Sequence, residues 1–202
     1  MSSYHDYVIK DGKFIGQFEE MYQQFDQPWM QDQQPNPYAR LAGIQHLKKF
    51  GIRSLLECGS GLGYYTQQIY LQTGISPQGI EVSQTAVSRA RELFPHLNFA
   101  VDEVKNLAKY SHCDAILFAE LTWYVLPQLN ELFSIMAEHF PNKYFINNLV
   151  FYKGTQRYGT DYFTNLREFI EYVPFPMVGY CEATTEGDTT IETSAIFRIA
   201  SK

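Results

Sequence analysis

Three glycines stand at alternate positions directly after a short apolar run, in the segment "LLECGSGLGYYT". Gly59, Gly61 and Gly63 leave the backbone bare, so the chain can turn tightly and a bound group can come against it. Glu57 stands two residues before the first glycine. Its carboxylate disfavours an anionic pyrophosphate and suits an amine or a cation. The segment therefore predicts a loop that binds a ligand through a cationic group.

Acidic residues also end two of the apolar runs that follow. Glu81 lies 24 residues after Glu57 (81 minus 57), where an acid can accept hydrogen bonds from both hydroxyls of a ribose. This placement favours a nucleoside without choosing between cofactors, because nicotinamide enzymes use an acid there too. Asp102 ends "LNFAVD" in the same way, and capping of a short helix after it is the alternative role.

Strand and helix patterns alternate along most of the chain. Short apolar runs are followed by segments of helical spacing, such as "SQTAVSRARELF", for which Ser83 is the expected N-cap. Four such alternations predict a parallel sheet with helices on both faces. The last two runs, "FPMVGYCEATT" and "TIETSAIFRI", predict an antiparallel hairpin. The acids that end the strands then share the carboxyl edge of the sheet, where open sheets bind ligands.

The segment "ECGSGLG" resembles the first motif of the class I S-adenosylmethionine-dependent methyltransferases, which is an acid, any residue, and then GxGxG. "CDAILFAELTWYVL" resembles their fourth-strand motif, and the terminal hairpin is a further family feature. The resemblance covers residues 53–202. It implies a Rossmann-like α/β fold, a three-layer sandwich around a mostly parallel seven-stranded sheet. It also implies S-adenosylmethionine as cofactor and S-adenosylhomocysteine as product.

The same resemblance implies which residues bind the cofactor. In the family, an acid at the position of Asp102 accepts a hydrogen bond from the adenine amino group. The residues that it implies at the cofactor are Glu57, Gly59, Ser60, Gly61, Gly63, Tyr64, Glu81, Val82, Asp102, Glu103 and Glu120.

The N-terminal segment differs from the rest of the chain. Residues 1–50 are expected to form a helical cap that belongs to the same domain as residues 51–202, which bind the cofactor. Apolar side chains between Phe14 and Phe25 recur at helical spacing, and this predicts one amphipathic helix. A second helix is predicted to end at Gly51.

A tryptophan segment connects these two helices. "DQPWMQDQQPNPYAR" resembles the "DPW" segment of methyltransferases related to the nodulation-factor and sugar N-methylating type, with Gln27 inserted. Trp29 and Tyr38 would then line the donor or acceptor site, and Arg40 would pair with the cofactor carboxylate. The alternative is that these aromatic residues only staple the N-terminal helix to the sheet.

In-line methyl transfer from a sulfonium depends mainly on how the acceptor is oriented. An alcohol or ammonium acceptor also needs a base, and Glu120 is the first candidate; holding the methionyl amine or capping the next helix are its competing roles. Aromatic walls can wrap an alkylammonium or a sugar face, or be ordinary core. The residues expected to meet a small acceptor, methylated on nitrogen or oxygen, are Trp29, Tyr38, Trp123, Tyr124 and Tyr152.

Two other functions compete with this interpretation. A protein that binds S-adenosylmethionine without catalysis would keep the same motifs. A nicotinamide-dependent oxidoreductase would need GxGxxG, where this chain has Tyr64 and Tyr65.

The composition limits the partners. The chain has 202 residues, the size of one domain, and its formal charge of -6 argues against a nucleic-acid partner. No apolar run has the length of a membrane span. Three scattered cysteines without a CxxC pair predict reduced thiols in a cytoplasmic protein and no metal site. The sequence contains no indication of the oligomeric state.

Overall fold

The N-terminal region is small and rich in aromatic residues. The computed structural model describes residues 4–10, 13–33 and 37–200. A short hairpin pairs β1 (Ile9–Lys10) with β2 (Lys13–Phe14), and α1 (Phe18–Gln24) follows. The helix predicted between Phe14 and Phe25 is therefore shorter than expected, because Phe14 pairs with Ile9 in the hairpin.

A seven-stranded sheet forms the centre of the molecule. Its strands are β3 (Leu55–Cys58), β4 (Gln78–Glu81), β5 (Asn98–Val101), β6 (Ala115–Ala119), β7 (Tyr144–Tyr152), β8 (Met177–Ala183) and β9 (Thr190–Arg198). They lie in the order β5-β4-β3-β6-β7-β9-β8. The first five are mutually parallel, and β9 is antiparallel to both β7 and β8. This confirms the predicted sheet with its C-terminal hairpin.

Helices cover both faces of this sheet and make it the middle of three layers. They are α2 (Tyr38–Lys49), α3 (Tyr64–Thr73), α4 (Gln84–Leu93), α5 (Leu129–His139) and α6 (Leu166–Tyr172). Ile44 of α2 and Ile69 of α3 join the core on the face of Leu117. Met136 of α5 and Phe169 of α6 join the core on the face of Phe145. Across the described ranges, no helix is both long and apolar enough to cross a membrane.

Local capping signals define two of the helix starts. The Ser83 hydroxyl accepts a hydrogen bond from the Ala86 N–H at 3.0 Å, which confirms the predicted cap of α4. Helix α6 was not predicted. The Asn165 side chain caps it by accepting from the Glu168 N–H at 3.0 Å, and Glu168 in turn accepts from the Thr164 N–H at 2.7 Å. An amide residue followed three positions later by an acid was the available signal.

The strand order creates a crevice at the carboxyl edge. From β3 the chain continues to β4 on one side, and β6 lies on the other side. Such a reversal of strand order opens a gap between the connections at that edge, and open α/β sheets bind ligands there. The ends of β3, β4, β5 and β6 all meet at this crevice.

Candidate functional site

The glycine loop is held against the neighbouring strand. The N–H groups of Gly59 and Ser60 both donate to the Ile80 carbonyl oxygen, at 2.8 and 3.1 Å. Gly63 has a left-handed φ of 83°, and a Cβ there would lie 2.5 Å from the ring of Phe99. Ser60 is 3% exposed, and its hydroxyl has no hydrogen-bond partner among the described residues. The loop is thus a rigid backbone surface with one buried hydroxyl unsatisfied.

Glu81 joins this loop to the end of β4. Its Oε2 accepts a hydrogen bond from the Gly61 N–H at 3.1 Å, and its Oε1 accepts from the N–H groups of Val82 at 2.9 Å and Ser83 at 3.2 Å. Burial raises the pKa of Glu81, against the effect of these backbone donors. Val82, beside it, keeps 46% of its surface exposed. The carboxylate is therefore fixed, and an apolar side chain borders it.

Asp102, at the end of β5, is surrounded by side-chain donors. Its carboxylate accepts hydrogen bonds from Asn106 at 2.6 Å, Lys109 at 3.0 Å and Tyr110 at 2.9 Å. Desolvation alone would raise its pKa, but these hydrogen bonds outweigh it and lower the pKa to about 2. Glu103 points outward and forms an ion pair with Lys105 at 2.7 Å. These three donors lie in the 3-10 helix Val104–Tyr110, which starts after Glu103 without a side-chain cap, so Asp102 is tied to this helix without being the N-cap that was its alternative role.

Glu57 and Arg40 form a buried pair of opposite charges without a direct bond. Glu57 is 2% exposed and accepts a hydrogen bond from the Thr66 hydroxyl at 2.6 Å. Burial raises its pKa to about 7, although Thr66 and Arg40 oppose this. The Arg40 guanidinium lies 5.4 Å from the centre of the Tyr65 ring. Within the part of the chain that the structure describes, it forms no ion pair.

Glu120 has an unusual backbone at the end of β6. Its φ is 59°, in the left-handed region that non-glycine residues rarely adopt, and its N–H donates to the Asn148 carbonyl oxygen at 2.9 Å. Such strained positions concentrate at functional sites. Glu120 is exposed. Nearby protein nevertheless desolvates its carboxyl group and raises the pKa; the charge of Arg40 opposes this effect, and that of Glu192 adds to it.

An N-terminal lid, residues 13–33, covers the glycine loop. Gly61 has a left-handed φ of 54°, and a Cβ there would lie 2.9 Å from the Tyr22 hydroxyl. The Trp29 indole N–H donates to that hydroxyl at 3.1 Å. Gln27 donates to the Tyr64 hydroxyl at 2.9 Å. The spacing of Tyr22 in the sequence predicted only a helix face, not a contact with the glycine loop. The inserted Gln27 was the available signal for a contact of this segment.

The aromatic residues predicted at the acceptor site divide into two groups. The Tyr124 ring contacts Phe14 and Phe18, each at 5.4 Å between centroids, and Trp29 at 6.0 Å. Desolvation raises the pKa of Tyr124, and the charge of Glu120 adds to this. Tyr152 joins the group through Tyr158, whose ring lies 6.3 Å from that of Tyr152 and 5.9 Å from that of Phe14. These residues form one aromatic cluster beside Glu120.

The other two predicted aromatic residues lie outside this cluster. Trp123 packs against Phe151 at 5.5 Å and Phe163 at 5.3 Å, so it belongs to the core. Tyr38 is 46% exposed in the first turn of α2. The structure therefore brings together three of the five residues predicted to meet the acceptor.

An open cavity lies at the opposite edge of the sheet. It has a volume of about 360 Å³, and its walls include Arg53, Asp114 and Lys143, which stand at the amino-terminal ends of strands. None of the residues predicted at the cofactor or acceptor lines it. At the carboxyl edge, the lid and the aromatic cluster lie beside the glycine loop and Glu120 instead.

Comparison with solved structures identifies this arrangement. The N-methyltransferase NodS from Bradyrhizobium japonicum WM9 matches with a TM-score of 0.61 at 16% identity, over 83% of this chain and 99% of that protein. The methyltransferase domain of bacterial CtHen1-CN matches with a TM-score of 0.64 at 13% identity, over 82% and 98%. The chain has the class I S-adenosylmethionine-dependent methyltransferase fold. No family model matches its sequence, and no curated protein matches it either.

A further methyltransferase-fold match was solved with ligands. Phospholethanolamine N-methyltransferase 2 of Haemonchus contortus, in complex with phosphomonomethylethanolamine and S-adenosylhomocysteine, has a TM-score of 0.56 at 12% identity, over 80% of this chain and 53% of that one. At such identities the similarity establishes the methyltransferase fold alone.

Proposed function

We propose that this chain binds S-adenosylmethionine and transfers its methyl group to a small-molecule acceptor. The observation that carries the proposal is the buried Arg40 guanidinium, which has no ion-pair partner in the described chain and lies in the field of Glu57. Glu57 and Glu120 act on this guanidinium only at a distance, so a carboxylate that reaches it in this buried place is favoured over water. The amino-acid end of the cofactor offers a carboxylate for Arg40 and an ammonium for Glu57.

The neighbouring strand ends suit the nucleoside part of the cofactor. Glu81 is fixed by three backbone donors, and the lone pair that remains on its Oε2 can accept a hydrogen bond from a ribose hydroxyl. The exposed face of Val82 offers apolar surface to adenine, with Asp102 and Glu103 at its edge. The loop residues that would border the methionyl part are Gly59, Ser60, Gly61, Gly63 and Tyr64.

The same groups argue against a nicotinamide dinucleotide. A pyrophosphate at the glycine loop would lie close to Glu57, whose carboxyl it would force to remain protonated. The Gly61 N–H, which could otherwise bind a phosphate oxygen, already donates to Glu81. Both features favour a cationic ligand.

The acceptor side of the site is aromatic and acidic. When bound, the cofactor supplies an activated methyl group on a sulfonium. Tyr124, Trp29 and Tyr152 would orient the acceptor, since rigid aromatic walls restrict the approach of a small molecule. Glu120, whose pKa desolvation raises, would accept the proton that an amine or alcohol loses. Trp123 would support these walls from the core, and Tyr38 would stand at the rim.

Calorimetry with S-adenosylmethionine, S-adenosylhomocysteine and NAD tests the cofactor. We expect binding of the first two only, and Arg40→Met is expected to weaken them at least about tenfold. Arg53→Met, an exposed arginine at the opposite edge, is the matched control and is expected to leave affinity unchanged. Preferential binding of NAD would overturn the proposal.

Transfer of a labelled methyl group tests catalysis. The acceptors would be matched pairs of amines and alcohols with the same carbon skeleton. We expect transfer to one member of a pair and a loss of about 100-fold or more in Glu120→Gln. Cofactor binding without transfer to any acceptor, including a metabolite extract, would favour the non-catalytic alternative.

A further inference from the structure

A carboxylate of the lid binds the start of helix α4. Glu19 of α1 accepts hydrogen bonds from the Ser83 hydroxyl at 2.7 Å, the Thr85 hydroxyl at 2.6 Å and the Thr85 N–H at 3.1 Å. These partners lie 64 and 66 residues away in the chain. The contact is therefore tertiary, and it joins two parts of the fold that no local pattern connects. We call Glu19, Ser83 and Thr85 the latch.

A second connection lies just after the carboxyl-terminal end of α1, one turn further along α4 than Thr85. Arg89 of α4 donates to the Phe25 carbonyl oxygen at 2.8 Å, and it forms an ion pair with Asp26 at 3.5 Å. Asp26 is almost fully exposed, so this ion pair contributes little. The latch, with three hydrogen bonds to one charged group, is the stronger attachment.

The latch and the cofactor site share the same two elements. Glu19 and Tyr22 are three residues apart on α1, so they lie on neighbouring parts of one helix face. On the other side, Ser83 and Thr85 follow Glu81 by two and four residues. The latch thus sets the distance between the Tyr22 hydroxyl, which rests over Gly61, and the carboxylate of Glu81.

We propose that Glu19 is a positioning residue that holds the lid closed over the cofactor site and so limits the rate of cofactor exchange. The inference rests on the proposed function of that site. A ligand cannot enter or leave between the glycine loop and the Tyr22 hydroxyl while α1 is docked, because the two are already in close contact. Each exchange therefore requires the latch to break and re-form.

Stopped-flow displacement of S-adenosylhomocysteine tests the latch. We expect Glu19→Ala to speed dissociation about tenfold, because three charge-assisted hydrogen bonds no longer oppose opening. Thr85→Val, which keeps the backbone donor, is expected to give about a threefold change. The double variant should accelerate dissociation by less than the product of the two single effects, because the Thr85 hydroxyl has already lost its acceptor in Glu19→Ala.

A matched control separates the latch from helix capping in general. Glu168→Ala removes a carboxylate with the same kind of partners, the N–H and hydroxyl of Thr164, at a helix start far from the glycine loop. Its dissociation rate should equal that of the wild type. A second readout is amide hydrogen exchange, which should rise across residues 18–25 in Glu19→Ala and not in Glu168→Ala.

The outcomes distinguish the latch from the proposed function. If the wild type does not bind S-adenosylhomocysteine, the proposed function fails and the latch proposal fails with it. If the wild type binds, and Glu19→Ala is folded by circular dichroism but dissociates at the wild-type rate, the latch alone is overturned. Equal acceleration in Glu19→Ala and Glu168→Ala would also overturn it.

Discussion

The carboxyl ends of β4 and β5 each carry an acid, and the two acids are held in different ways. Glu81 receives only backbone donors, from Gly61, Val82 and Ser83. Asp102 is held mainly by side chains of the turn that follows it, Asn106, Lys109 and Tyr110. The same position at a strand end thus gives one acid tied to the glycine loop and another tied to its own local helix.

This difference separates a binding role from a structural one. The backbone donors fix Glu81 as part of the loop, so movement of the loop would move this carboxylate with it. Asp102 already accepts five hydrogen bonds, including that from the Glu103 N–H. An adenine amino group would have to share these oxygens with charged and neutral donors. We therefore expect Glu81 to contribute more than Asp102 to cofactor affinity.

The largest effect is expected when the Glu81 loop itself is blocked. Gly61→Val would place a side chain against the Tyr22 hydroxyl, in a left-handed conformation that valine tolerates poorly. Affinity for S-adenosylmethionine should fall by about 100-fold or more, measured by calorimetry. Gly74→Val, with a left-handed φ of 76° and open space around it, is the control for backbone strain alone. Equal loss in both variants would contradict the role of the loop.

A smaller effect is expected from Glu81 itself. Glu81→Ala leaves three backbone N–H groups without their acceptor, at a cost of about 2–4 kcal/mol in the free energy of unfolding. Cofactor affinity should fall about tenfold or more, and Glu81→Gln should recover part of the stability because its amide oxygen still accepts hydrogen bonds. Denaturant titration and calorimetry measure the two effects. If Glu81→Ala bound the cofactor with wild-type affinity, the ribose would not bind at this strand end.

For Asp102 we expect the loss of stability to be more evident than the loss of cofactor affinity. Asp102→Ala should lower the free energy of unfolding by about 1–2 kcal/mol, because Asn106, Lys109 and Tyr110 lose their common acceptor. Affinity should fall only about threefold. Lys109→Met sharpens the comparison, since it frees part of the carboxylate and should leave affinity unchanged or raised if adenine competes for these oxygens. A tenfold loss of affinity in Asp102→Ala, with stability unchanged, would make it a direct cofactor ligand.

Much of this arrangement could be predicted from local sequence. The alternation of strand and helix placed Glu57, Glu81 and the glycines at one edge, because the carboxyl ends of parallel strands must coincide there. The contacts of Glu19 and Tyr22 could not be predicted, since their partners lie far away in the chain. The hydrogen bonds to the Asp102 oxygens were easier to predict, because Asn106 and Lys109 follow Asp102 by four and seven residues, within two turns of a helix.

The smallest expected effect is the pH dependence of stability, which should have opposite signs at the two strand ends. Hydrogen bonds lower the Asp102 pKa to about 2 in the folded state, against an ordinary value of 3.8 for this side chain. The contribution of Asp102 to the free energy of unfolding is therefore complete above pH 3.8 and is lost as the pH falls through 2. It amounts to about 1 kcal/mol after allowing for solvent screening.

Burial raises the Glu81 pKa above its ordinary 4.5. The folded state then binds more protons than the unfolded state above pH 4.5, so Glu81 makes stability decline as the pH rises from there. Free energies of unfolding measured from pH 2 to 8 should lose the acid slope in Asp102→Asn and the opposite slope in Glu81→Gln. If both substitutions changed the pH dependence of the free energy of unfolding in the same direction, the two carboxylates would experience the same environment. The contrast between backbone and side-chain donors would then have no energetic consequence.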